Sequence, residues 1–239
     1  GEQASQAAYA AVLCYQKMYD QLHKGDSARK GRGLAPTRDD VGGKEKKRSE
    51  WEKFKPKEFT DMQKGMIGAF NRYVCYIQPP AGNKQAEEQY VEVKYARART
   101  YFEAQHWAEA AIAFRDIALN YKDMDAAIYA GQLYLEAVNV LGSKSEPPKP
   151  TCFEEMSKDV PKFIDNFCSA EKYAQEKENC DLLNRIQCDI RRLAAEKTVE
   201  LADGGKNEEA LELYKKGGDA YIALWRDYGE GPLSKGEPS

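Results

Sequence analysis

A 34-residue stretch in the middle of the chain constrains the fold more than any other part, because it predicts two helices joined by a tight turn. The stretch runs from Tyr90 to Asp123. Small and aromatic residues recur at helical spacing in each half, which is typical of a helix with one buried face. Gln105, His106 and Trp107 form a short link at which this spacing resets. The residues at helical spacing are Tyr95, Ala98, Tyr101 and Phe102 in the first helix and Ala110, Ala113, Phe114 and Ile117 in the second.

The same residues stand at the signature positions of a known repeat. Ala98 stands where a small residue allows close helix packing, and Tyr101 stands at an aromatic position of the first helix. Trp107, Ala110 and Phe114 stand at the start, the small position and the aromatic position of the second helix. On these residues the stretch resembles a tetratricopeptide repeat (TPR), a helix–turn–helix unit of 34 residues. It departs from the family pattern at Arg97, where Leu is usual, at Gln105, where Gly is common, and at Lys122, where Pro often ends the unit.

Two further stretches extend the resemblance. Residues 130–134 repeat the small–Gly–x–x–Tyr signature one repeat length later. A glycine inside a helix costs about 1 kcal/mol relative to alanine, and it is tolerated where another backbone comes close. The resemblance therefore implies an all-α fold, a TPR-like right-handed α-solenoid of antiparallel helix pairs. A generic helical bundle is the alternative interpretation of the same pattern. A third and weaker match runs through Ala194, Thr198, Leu201, Gly205, Ala210 and Tyr214.

We expect the repeats to form a single domain. Its parts are an N-terminal helix pair at 1–80 with an inserted basic loop at 25–57, central repeats at 84–141, C-terminal helix pairs at 152–228 and a frayed tail at 229–239. Acidic residues offset the basic charge of the loop, and no aromatic residues that could stack on bases stand between the basic residues. A solvated loop is therefore favoured over an anion, nucleic-acid or peptidoglycan contact. The buried stripe of the first helix is predicted to carry Ala7, Ala11, Cys14, Met18 and Leu22.

Composition limits the partners of this chain. The net charge of −3 gives no general attraction to nucleic acid or to anionic membranes, so we expect no nucleic-acid partner. No apolar run approaches the roughly 18 residues that a membrane span needs. No signal sequence stands at the start, so we expect any signal or lipid anchor to lie outside this sequence.

Six cysteines predict disulfide bonds. Their even number and helical setting favour nested bridges, with Cys168–Cys180 beside a predicted turn and Cys152–Cys188 further out on the same helices. Cys14 and Cys75 would then pair across the first hairpin. The alternative is six buried reduced cysteines in a cytosolic protein, since free cysteine packs as a small hydrophobic residue. Disulfides persist in oxidising compartments, so the favoured pairing predicts a periplasmic or other envelope location in a bacterium.

Catalytic motifs are missing from the sequence. Histidine occurs only at His23 and His106, and no HExxH, GxSxG, GxGxxG or Walker sequence occurs. The cysteines lack nearby histidines and the spacing of a zinc site. We therefore expect no enzymatic activity, no cofactor and no metal.

The repeat resemblance implies a binding surface instead. In the TPR family the first helices of successive repeats line a concave groove that holds an extended peptide or a partner helix. Tyr95 and Arg99 lie one helical turn apart, and we expect them to be exposed and to contact the partner. The alternative is that Tyr95 packs against a neighbouring repeat and Arg99 is solvated. The positions matching the family's groove are Glu92, Tyr95, Arg99, Phe102 and Glu103 in the first repeat and Asp125, Ile128, Gln132, Leu135 and Glu136 in the second.

The pattern is also similar to bacterial cell-envelope repeat proteins, including lipoproteins of outer-membrane assembly and of gliding motility. That likeness implies a non-enzymatic protein–protein interaction scaffold with protein partners from the envelope. A module that binds glycan or peptidoglycan through its aromatic residues and basic loop is the main alternative. An enzyme domain or an enzyme accessory domain is a third hypothesis.

Overall fold

The chain is helical throughout the part that the structure describes. The computed structural model describes residues 2–22, 29–42 and 48–230. Within these ranges there are ten α-helices and no strand, which confirms the prediction of an all-α protein. Predictions for residues 23–28, 43–47 and 231–239 lie outside the described residues. The helices are α1 (Glu2–Leu22), α2 (Arg38–Val41), α3 (Asp61–Tyr76), α4 (Lys84–Glu103), α5 (Trp107–Asn120), α6 (Ala126–Asn139), α7 (Thr151–Phe167), α8 (Ala170–Tyr173), α9 (Lys177–Gly204) and α10 (Asn207–Leu224), with a 3₁₀ helix at Arg48–Phe54 and π-helical turns at Val140–Lys144 and Trp225–Glu230.

These elements form two compact units. The first unit takes its described residues from 1–35 and 46–149, and the second from 36–45 and 150–239. In the first unit α3 packs against α1 and α4, and α5 packs against α4 and α6. In the second unit α2, α7 and α10 all pack against α9. The arrangement of the whole chain as one repeat domain stays a prediction.

The turn between α4 and α5 lies where the sequence predicts it. Gln105 has a φ of +64°, a left-handed conformation that side chains beyond glycine adopt at a cost. This is the position at which the repeat resemblance would have placed glycine. The side chain of Gln105 donates to the carbonyl of Lys53 at 3.0 Å, and the indole N–H of Trp107 donates to the carbonyl of Phe54 at 2.7 Å. The turn therefore anchors the end of the inserted loop.

An aromatic cluster forms the core between α4 and α5. The ring of Phe114 lies 5.4 Å from that of Tyr95 and 6.0 Å from that of Phe102, and Phe102 meets Trp107 edge-on at 5.1 Å. Tyr101, at the aromatic position of the first helix, is half-buried. The other residues at helical spacing in this stretch are buried: Tyr95, Ala98, Phe102, Ala110, Ala113, Phe114 and Ile117.

The predicted buried stripe of α1 is wrong. Val12 is fully buried, and it packs with Met66, Phe70 and Tyr73 of α3. Apolar residues occur on more than one face of α1, and the tyrosine-bearing face contributes more apolar area when it is buried, so that face packs against α3. The partly buried residues of α1 in this core are Ala8, Tyr9, Tyr15 and Tyr19, whereas the predicted Ala7, Ala11, Cys14 and Met18 are exposed.

The second unit is built on α9. Helix α7 continues through Pro161, and its buried face carries Met156, Val160 and Phe163. Helix α10 runs without interruption through the two glycines at 217–218.

One of the three predicted disulfides is present. Cys168 and Cys180 are bridged, with an S–S distance of 2.12 Å, and the bridge joins the end of α7 to the start of α9. The predicted Cys14–Cys75 bridge is not formed, and both of these cysteines are exposed.

The predicted bridge between Cys152 and Cys188 is not formed either. Moving away from the Cys168–Cys180 bridge, Cys152 lies 16 residues back along α7 and Cys188 lies 8 residues forward along α9. At 1.5 Å per helical residue these offsets are about 24 Å and about 12 Å. The two Cα atoms therefore lie at different heights on the helix pair, whereas a disulfide needs them within roughly 7 Å.

Candidate functional site

The residues predicted to line a groove lie on α4 and α6, and several of them are more buried than expected. Tyr95 is 3% exposed, and Phe102 and Leu135 are fully buried. The prediction that Tyr95 is an exposed contact residue is therefore wrong, because one side of its ring packs on Phe114. Glu92 is exposed, and Gln132 is half-buried.

An internal segment of the same chain lies across these residues. This 29–34 segment has the sequence Arg-Lys-Gly-Arg-Gly-Leu and contains no helix or strand. The Arg29 guanidinium pairs with the Glu92 carboxylate at 2.7 Å, and Arg99 Nη1 donates to the carbonyl of Lys30 at 2.7 Å. We call the residues that hold the segment the α4/α6 surface: Glu92, Tyr95, Arg99, Phe102 and Glu103 of α4, Trp107 of α5, and Tyr129, Glu136 and Asn139 of α6.

Glu136 holds the backbone of the segment. Its carboxylate accepts the backbone N–H of Arg32 at 2.8 Å and that of Gly33 at 3.2 Å. Glu136 is 6% exposed, and this burial raises the pKa of its carboxyl, while backbone N–H groups of the segment oppose the rise. Both donors are backbone N–H groups, so the Glu136 carboxylate recognises the main chain of the segment rather than its side chains.

The glycines allow this close approach. A Cβ atom on residue Gly31 would lie 2.2 Å from a carboxylate oxygen of Glu136, so glycine brings the backbone against that side chain. Gly33 has a φ of +70°, in the left-handed region that glycine adopts without strain.

Both arginines of the segment lie over aromatic rings. The guanidinium of Arg29 is 5.6 Å from the ring centroid of Tyr95 and 5.3 Å from that of Tyr129. The guanidinium of Arg32 is 5.3 Å from the ring of Phe102 and 5.6 Å from that of Trp107. Such cation–π contacts contribute about 0.5–1 kcal/mol each at exposed sites.

Arg99 connects the helix to the segment. Besides its bond to Lys30, its Nε donates to Glu103 Oε1 at 3.1 Å. Burial raises the pKa of the Glu103 carboxyl to about 7. The backbone carbonyl of Glu103 accepts from Arg32 Nη2 at 3.0 Å, and Asn139 Nδ2 donates to the carbonyl of Leu34 at 2.9 Å.

The entropy cost of ordering the 29–34 segment nearly equals the free energy that its contacts contribute. Ordering the backbone of its six residues costs about 6–12 kcal/mol. The partly exposed Arg29–Glu92 ion pair contributes roughly 0–1 kcal/mol. Of the other five hydrogen bonds that hold the segment, four involve a charged group, and at about 1.5–3 kcal/mol each they offset a similar sum. The cation–π contacts offset the rotamer entropy of the two arginines. The segment is therefore held by specific contacts with little surplus stability.

Sequence reasoning identified the helices of this surface but not its occupant. The basic charge and the glycines of the loop were visible, as were the aromatic and acidic residues of α4. Their pairing was not predicted, because Arg32 and Glu136 are 104 residues apart and no local pattern links them.

The α4/α6 surface presents groups that can bind main-chain and guanidinium groups. Its groups are main-chain acceptors, carboxylates held by arginine or by backbone N–H groups, and aromatic faces. Within residues 2–22, 29–42 and 48–230, no cluster of three or more His, Cys, Asp or Glu side chains could hold a metal ion. None of the helices in those ranges is both long enough and apolar enough to cross a membrane.

Comparison with known proteins gives no relative for this chain: no protein-family model, no curated protein and no solved structure matches it.

Proposed function

We propose that this protein is a non-enzymatic protein–protein interaction scaffold, and that its α4/α6 surface binds an extended segment of a partner protein. The observation that carries this proposal is the docking of the 29–34 segment on that surface. Glu136 and Arg99 bind main-chain groups of the segment, which any extended peptide also offers. Peptide binding by this surface is therefore already present within the chain.

The proposal includes a TPR-like solenoid for the helix pairs around this surface. Helices α4 and α6 are the first helices of the two best-matching repeats, and both contribute residues that contact the 29–34 segment. In repeat proteins of this type such helices line the concave binding face.

We also propose a location in a bacterial envelope complex. The Cys168–Cys180 bridge supports it, because disulfides persist in oxidising compartments. One bridge leaves four of the six cysteines reduced, so Ellman titration of the denatured, unreduced chain is expected to find four thiols. A count of six would remove the support for an envelope location.

An affinity experiment tests the scaffold function. Full-length protein with Arg29→Ala and Arg32→Ala, which frees the α4/α6 surface, is used as bait in an envelope extract. A partner that binds the surface is retained by this bait and lost when Glu136→Ala is added. Lys158→Ala, at an exposed site on α7, is the matched control and should retain the partner. Binding to isolated peptidoglycan with no dependence on Glu136 would instead favour a glycan-binding module.

A further inference from the structure

We infer that the partner segment bound by the α4/α6 surface carries the pattern Arg-Xaa-Gly-Arg-Gly in the conformation of the docked 29–34 segment, and that the 29–34 segment is its intramolecular competitor. This inference rests on the proposed function and names the class of partner for the same surface. It follows from what each position of the docked segment contacts.

The first position requires arginine. At this place Arg29 pairs with the Glu92 carboxylate while its guanidinium lies over the rings of Tyr95 and Tyr129. A planar guanidinium can stack on a ring and donate hydrogen bonds sideways at the same time. The compact ammonium of lysine does not combine these two contacts, so lysine would bind more weakly.

The fourth position requires arginine for the same reason. The guanidinium of Arg32 lies over Phe102 and Trp107, and its Nη2 donates to the backbone carbonyl of Glu103. The two arginines stand three positions apart, and at this spacing one lies over each aromatic pair, which sets the spacing of the pattern.

Glycine is required on each side of the second arginine. Any Cβ at Gly31 would collide with Glu136, whose carboxylate binds the next two backbone N–H groups. Gly33 has a left-handed backbone, which a residue with a side chain adopts only with strain.

The second position is unrestricted. The described contact at Lys30 is made by its backbone carbonyl to Arg99, and its side chain is exposed. The pattern is therefore two arginines three residues apart with a glycine before and after the second one.

The surface also has the charge that such a partner needs. Glu92 and Glu136 face the segment from two different helices, which favours a basic peptide over an acidic one. The tethered 29–34 segment reaches an effective concentration in the millimolar range. A partner therefore competes against it, and weakening the tethered copy should strengthen binding in trans.

Fluorescence polarisation with a labelled peptide tests the inference. The probe is Ala-Arg-Lys-Gly-Arg-Gly-Leu-Ala, the sequence of residues 28–35. The full-length chain with Arg29→Ala and Arg32→Ala should bind it at least 10-fold more tightly than the wild-type chain. Gly31→Ala in the full-length chain is a second way to displace the tethered copy, and it leaves every side chain of the α4/α6 surface intact. Circular dichroism melts establish that each variant is folded.

Substituted peptides test the pattern itself. Lysine at both arginine positions should weaken binding at least 10-fold, and so should alanine at the position of Gly31. Alanine at the position of Lys30 is the matched control and should bind as the parent peptide does. Glu136→Ala in the freed chain should abolish binding.

Three outcomes would overturn the inference. If the lysine peptide binds as well as the arginine peptide, the surface recognises charge alone. If the freed chain binds acidic or apolar extended peptides equally well, the scaffold function stands and the pattern fails. If the freed and folded chain binds no peptide of any of these classes, the inference and the proposed function both fail.

Discussion

Glu136→Ala should undock the 29–34 segment while leaving the helices folded. The substitution removes two hydrogen bonds to a charged acceptor, which together contribute about 3–6 kcal/mol to docking. That loss exceeds the small surplus with which the segment is held. The effect on global stability should be smaller, at about 1–2 kcal/mol, because the freed N–H groups bond to water and a buried carboxylate is removed.

Hydrogen exchange followed by mass spectrometry or NMR measures the undocking of the 29–34 segment directly. In the wild-type chain the amides of Arg32 and Gly33 should be protected at least 10-fold, which corresponds to about 1.4 kcal/mol of net docking free energy. In Glu136→Ala they should exchange at the rate of an unstructured peptide. Trypsin should then cleave after Arg29, Lys30 and Arg32 without prior unfolding.

The control variant is Glu88→Ala, which removes an exposed carboxylate of α4 and should change neither exchange nor cleavage. Glu136→Gln keeps one acceptor oxygen and should give intermediate protection. The reasoning is refuted if the amides of Arg32 and Gly33 stay protected in Glu136→Ala, or if they lose protection only together with the amides of α6.

Three further predictions concern the same unit. Tyr95→Ala should cost about 3–5 kcal/mol of unfolding free energy, as Phe114→Ala does, because both rings are buried in one cluster; a near-neutral Tyr95→Ala in urea melts would contradict this. Gln105→Gly should be more stable than Gln105→Ala by about 1 kcal/mol. Both variants lose the side-chain hydrogen bond, but only alanine is strained by the positive φ at this position. Equal melting temperatures of the two variants would show that the turn changes conformation instead. Burial raises the pKa of Glu103 from 4.5 to about 7, so its contribution to stability is present below pH 4.5 and lost as the pH rises through 7. Glu103→Gln should therefore reduce the stability difference between pH 4 and pH 8 by about 1–3 kcal/mol in urea melts, and an unchanged difference would contradict this.

Several parts of the structure could be predicted because they depend on local pattern. Helices α4 and α5 and the turn between them follow from apolar spacing and from the break at Gln105. The Cys168–Cys180 bridge was predictable because both cysteines flank one short connection. The other two bridges failed because their geometry depends on the rotation of α1 about its axis and on the heights of residues along packed helices. Neither quantity is encoded in cysteine spacing.

The sequence by itself determined that this chain is helical and where its central helices lie. Periodicity carries that information, since it reports which side of a helix is apolar. Only the tertiary structure decided which partner covers each face. It placed the tyrosine side of α1 on α3, it buried Tyr95 between Phe114 and Arg29, and it laid the 29–34 segment along α4 and α6. The physical reason is that, apart from Tyr95 with Phe114, these contacts join residues about 50–100 positions apart in the chain. At such separations the free energy of pairing depends on the three-dimensional packing of whole helices and leaves no local signal.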